Sequence, residues 1–145
     1  MANAIREAIL AQIKTTLDGA TLTGTPTIER RRDFEVSKFP TVNLIGGDHS
    51  VDNDLSGVDR DKMELVAELY VQGDETAFNQ LYRDVTAAIK ADLTVGGNAV
   101  DLTELGLEFP EVPADDPHDT DYTLGLVAFE IEYWVDESDP AVLAT

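Results

Sequence analysis

The chain contains no cysteine. Disulfides, thiolate nucleophiles, zinc–thiolate sites and iron–sulfur clusters are therefore excluded. Positive charge is scarce: ten lysines and arginines face 29 aspartates and glutamates, for a net charge of −19. A surface of that sign disfavours nucleic-acid binding through the phosphates, and an anionic membrane surface equally. It keeps a protein soluble, and it suits a salty medium in which self-repulsion is screened. No apolar run approaches the roughly 18 residues of a spanning helix. The N-terminus lacks a basic stretch followed by an apolar block, so no secretory leader is expected. There is no G-x-S-x-G, P-loop or dinucleotide fingerprint. Gly46-Gly47-Asp48 follows a strand pattern, but no helix pattern comes after it to receive a phosphate. With so many acids, pairs of carboxylates are easily drawn and say nothing of acid–base catalysis. No catalytic residue, cofactor or metal ligand is assigned, and the chain is not expected to be an enzyme.

What is present begins with a length of 145 residues and a hydrophobic fraction of 43%. That predicts one domain, 1–145, with a real core. The clearest stretch is Lys62 to Leu93. Met63, Leu65, Ala67, Leu69 and Val71 alternate with Lys62, Glu64, Val66, Glu68, Tyr70 and Gln72, which predicts a half-buried strand. Gly73 breaks the run, and Asp74 is a candidate helix N-cap. Beyond it the period becomes 3.6, through Ala77, Phe78, Leu81, Val85, Ala88 and Ile89.

Ala2 to Leu17 predicts a second amphipathic helix, with Ile5, Ala8, Ile9, Ile13 and Leu17 on one stripe. Thr25 to Arg31 reads as an irregular or edge strand, because Pro26 removes a ladder donor. Thr41 to Ile45 reads as a short strand entered through Phe39-Pro40. Gly46 to Asp61 reads as a long acidic loop. Ala99 to Leu107 is a weaker strand, and 109–121 a loop rich in proline and aspartate. Tyr122 to Val135 predicts the longest strand, with Val127, Phe129, Ile131, Tyr133 and Val135 inward and Leu126, Ala128, Glu130, Glu132 and Trp134 outward. Residues 136–145 form an acidic, then apolar, tail, frayed or docked on a neighbour. The order predicts an α+β fold: a mainly antiparallel sheet of four to five strands with two helices packed on one face.

Several groups of residues invite a functional reading. Asp52-Asn53-Asp54-Leu55-Ser56-Gly57 matches the start of a calcium-binding helix–loop–helix loop, but Met63 stands where that loop needs a bidentate Glu. A solvated acidic turn is the plainer reading, and a calcium-binding module the alternative. Asp115, Asp116, His118, Asp119 and Asp121 cluster on the Pro-rich segment, and His49 is the other histidine that could join them. Arg30, Arg31 and Arg32 form the one basic run, suited to carboxylates of another copy. Leu126, Ala128, Glu130, Glu132 and Trp134 are the outward positions of the last strand, a second candidate interface. Asp48, Asp52, Asp54, Asp59 and Asp61 are candidates to line an aqueous passage from the acidic loop.

These segments resemble the tail terminator (tail completion) proteins of long-tailed phages and related tailed viruses, a family marked by layout rather than by an invariant signature. The resemblance rests on the helix around Ala4-Ile5-Arg6-Glu7-Ala8-Ile9-Leu10, on Phe39-Pro40-Thr41-Val42-Asn43-Leu44 leading to Gly46-Gly47-Asp48, on the strand–helix unit from Leu65 to Ile89, and on the late strand from Leu124 to Tyr133. It implies a structural virion protein at the head-proximal end of the tail. Such a protein forms a ring, usually a homohexamer, that caps the tail tube, ends its polymerisation and joins it to the head. Its partners would be copies of itself, the tail tube protein and a head–tail connector or neck protein, with DNA only as passing cargo, no membrane and no cofactor. Another neck or head–tail adaptor is the alternative within the same class.

Overall fold

The computed structural model describes residues 5–32, 38–53, 58–73, 75–110, 122–136 and 139–143. For 52, 53, 58, 136 and 139–143 the description is of the backbone alone. The elements run α1 (Ile5–Gly19), β1 (Thr27–Glu29), β2 (Thr41–Asn53), β3 (Val58–Gln72), α2 (Glu75–Lys90), β4 (Asp101–Glu108), β5 (Tyr122–Asp136) and β6 (Asp139–Leu143). The strands lie in the order β1-β2-β3-β5-β4, and β6 pairs with the end of β5. β1 joins β2 in parallel and every other pairing is antiparallel. The α+β class is as the patterns predict, and the tail adds a sixth, short strand.

One face of the sheet is apolar because the period-2 positions of neighbouring strands fall in register. Leu65 lies opposite Phe129, Met63 opposite Ile131 and Leu69 opposite Val42. All six are buried. The helices turn Ile9, Ile13 and Leu17 of α1, and Phe78, Leu81, Val85 and Ile89 of α2, into the same cluster. Each such side chain contributes roughly 1.5–3 kcal/mol by leaving water. Gly125 occupies an inward position opposite Leu69. The Phe78 ring fills the space where its side chain would stand. Asp84 of α2 accepts from the Thr23 backbone N–H at 2.9 Å, which ties that helix to the turn after α1.

The expected acidic loop over Gly46–Asp61 is corrected. β2 and β3 continue through it as a hairpin arm, pairing His49 with Met63, Val51 with Asp61 and Asn53 with Asp59. The inward positions of this arm hold His49, Asp59 and Asp61 and an exposed Val51, so the alternation of hydrophobicity fades while backbone pairing goes on. Gly46 and Gly47 mark a register irregularity between Gly46 and His49, not the end of the strand. Residues 54–57 lie outside the described residues, Asp54 among them. The calcium-loop reading loses its context, since Asp52 and Asn53 lie on a strand instead of after a helix. β1 is shorter than predicted and is an edge strand, as Pro26 before it suggests. Asp74 and most of 109–121, with His118 and its aspartates, also lie outside the described residues.

Candidate interaction surface

Both helices cover the inner face of the sheet, and neither covers the outer one. There the pairing sets Ile45 beside Val66 and Val66 beside Ala128. The next row holds Glu68, Leu126 and Glu108, and the row beyond it Tyr70 and Leu124. On the other side of this apolar strip, Glu64 stands directly opposite Glu130. Two like charges so placed disfavour each other, and Lys62 offsets them only loosely, with Nζ 3.9 Å from Glu130 Oε1. The register irregularity of β4 leaves Leu105 54% exposed at the edge of a shallow groove that Val66, Leu126 and Ala128 floor and that Glu64 and Glu108 rim. Trp134 is 39% exposed at the far end, its indole N–H donating to Glu132 at 3.2 Å. The five expected outward residues of β5 are thus brought to one face: Leu126, Ala128, Glu130, Glu132 and Trp134.

The arginine run ends on the opposite edge, after β1. Arg30 is not available to a neighbour as expected. Its guanidinium donates twice to Glu7 of α1, at 2.7 and 2.9 Å, and the Glu7 carboxyl is held below its usual range chiefly by that bond. Arg31 and Arg32 stay exposed. Asn43 clamps the backbone of Arg31 reciprocally, accepting from its N–H at 2.9 Å and donating to its carbonyl at 2.8 Å. Arg32 donates to the Gly46 carbonyl. Arg6 of α1 donates to the Gly47 carbonyl at 2.7 Å. Two arginines thereby occupy carbonyls of β2 where β1 no longer covers it, which blunts an open strand edge. A Cβ on Gly46 would lie 2.7 Å from the Arg6 guanidinium, so a larger residue there would push that side chain aside.

Of the aspartates expected to line a passage, Asp48 is exposed and Asp59 half-buried. Asp61 is corrected: it is 5% exposed and faces inward. It accepts from His49 Nε2 at 3.0 Å, while His49 Nδ1 lies 3.3 Å from both the Arg6 guanidinium and the Tyr133 hydroxyl. Arginine can only donate, so the donor inventory assigns the proton to Nε2 and leaves Nδ1 the acceptor. Burial first, and the Asp61 charge second, push the Tyr133 phenol up to about 12. This network was not expected from the sequence. Its one signal was that Asp59 and Asp61 continue the inward period of Met63 and Leu65, whereas the register irregularity hides the inward position of His49. Among the described residues no group of three or more histidines and carboxylates is arranged to hold a metal ion. The Asp52 side chain and Asp54 are outside the described residues, and so is the pairing of His49 with His118.

No family model and no curated protein matches the chain. Among solved structures it is similar to a chain of the virion of a native gene transfer agent (GTA) particle, with 14% identity, a TM-score of 0.46, and coverage of 89% of this chain and 93% of that one.

Proposed function

We propose that this chain is a structural virion protein of the tail terminator kind. Copies assemble into a ring, a homohexamer, that caps the tail tube, ends its polymerisation and joins it to the head through a neck protein. DNA passes through the ring as cargo, and the protein carries out no catalysis and needs no cofactor. The observation that supports this reading is the outer face of the sheet, which neither helix covers. It carries a half-exposed apolar strip, an exposed Trp134 and opposed glutamates. A face of that kind gains most from burial against a neighbour. The layout shared with tail terminators, from the N-terminal helix to the late strand, supplies the role.

The test is the mass of the full chain in solution at two salt concentrations, followed by negative-stain images. Rings of six-fold symmetry are the expected result. A monomer at high protein concentration in both physiological and high salt would overturn the ring.

A further inference from the structure

Resting on that ring reading, we infer that the glutamate-rimmed groove of the outer face is the docking site for Arg31 and Arg32 of a second copy. The groove has an apolar floor of Val66, Leu126 and Ala128 and an acidic rim of Glu64 and Glu108, with Glu130 across from Glu64. It calls for a partner with cations, and this acidic chain offers few. Among the described residues Lys14, Arg30, Arg83 and Lys90 already meet carboxylates within the chain. Arg31 and Arg32 are exposed neighbours that, like the single Lys38, meet no carboxylate among the described residues, and Arg32 spends one N–H on the Gly46 carbonyl and keeps the rest of its fork. Arg31 is held by its backbone through Asn43, so its side chain leaves from a fixed point. A guanidinium fork suits a glutamate rim better than an ammonium does.

Placement adds a second argument. The arginines follow β1 at one edge of the sheet, and the groove lies between β3, β5 and β4 toward the other. Four strand spacings of about 4.8 Å separate those edges, roughly 19 Å. Complementary patches on opposite edges of one subunit make a head-to-tail contact, which repeats around a closed ring. A two-fold contact could pair the same patches reciprocally, but it would close at two copies, so the head-to-tail form is the one that the ring requires.

The experiment uses charge reversal in the full chain. One variant carries Arg31→Glu and Arg32→Glu, and so has an acidic edge and an acidic groove. The other carries Glu64→Arg and Glu108→Arg, and so has a basic edge and a basic groove. Each alone should associate at least about tenfold more weakly than wild type. Mixed in equal amounts they should assemble again, because every contact in an alternating ring pairs opposite charges. Recovery on mixing also shows that both variants are folded. Wild-type rings with variants that assemble equally well, or folded variants that stay apart when mixed, overturn the docking assignment and leave the ring standing. A wild-type chain that is monomeric in every salt overturns both.

Discussion

Glu104 shows how a single residue can contradict its neighbourhood and still belong there. It occupies an inward position of β4, opposite Phe129, where an aliphatic would be expected. Lys90 of α2 donates to one of its oxygens at 2.8 Å and the Tyr82 hydroxyl to the other at 2.5 Å, so the carboxylate joins sheet to helix. The Lys90 bond first, and the Tyr82 bond second, hold its carboxyl below the usual glutamate range. Because the folded value is depressed, the unfolded chain takes up the proton first as the medium is acidified. The stabilisation is then complete above the ordinary glutamate value and is lost as pH falls through the folded one. Glu104→Gln keeps an acceptor but removes the charge, and it should cost about 1 kcal/mol at neutral pH. In urea titrations over a pH series, the gap between wild type and variant should close as the pH falls through that window. A gap unchanged into acid would mean that shape, not charge, is what Glu104 supplies. In sequence the residue reads only as an interruption between Leu102 and Leu105, since its partner Lys90 lies 14 positions back.

At the scale of elements, the contact of α2 with the sheet depends on a missing side chain. Phe78 is wholly buried, and its ring stands over Gly125 of β5 so closely that any Cβ there would overlap it. Gly125→Ala should therefore overpack the core and cost about 1–3 kcal/mol. Phe78→Leu alone should leave a void, yet together the two should cost less than their sum. A double-mutant cycle by denaturant unfolding checks this, and strictly additive losses would show that the ring moves aside freely. The same β5 was legible in advance, because its inner residues pack on aliphatics and its alternation is intact. The arm of β2 and β3 was not. Its strands are paired by backbone groups, which every sequence has, while His49, Asp59 and Asp61 leave Val51 alone where a run of aliphatics would have announced an inner face. Glycines 46 and 47 then read as the start of a loop, although they serve an irregular step in the ladder and the approach of Arg6. The candidate interface divided in the same way. The outward face of β5 follows from period 2 alone, whereas Arg30 is claimed by Glu7, a partner 23 residues away that no local pattern reveals.

For the whole molecule the governing quantity is a net charge of −19, set against the local attraction of arginine for glutamate. The two act over different ranges. Repulsion between whole copies extends over the Debye length, about 30 Å at 0.01 M salt and about 10 Å at 0.1 M. An arginine lodged on a glutamate rim acts over a few ångströms and is screened strongly only near 1 M, where that length is about 3 Å. Burial of the apolar floor is indifferent to screening and is strengthened by excluded salts. Self-association should therefore be weakest at the lowest salt, rise steeply as the long-range repulsion is removed, and level off or decline slightly near 1 M. Sedimentation velocity across that range reads the assembled fraction directly. Sodium chloride and choline chloride should give the same curve at equal ionic strength, because screening depends on ionic strength and not on which cation supplies it. A curve that falls steadily from the lowest salt would mean that contact attraction already exceeds the repulsion of the whole, and the net charge would then have no part in controlling assembly. A rise with one cation alone would point to a bound ion instead of a screened field.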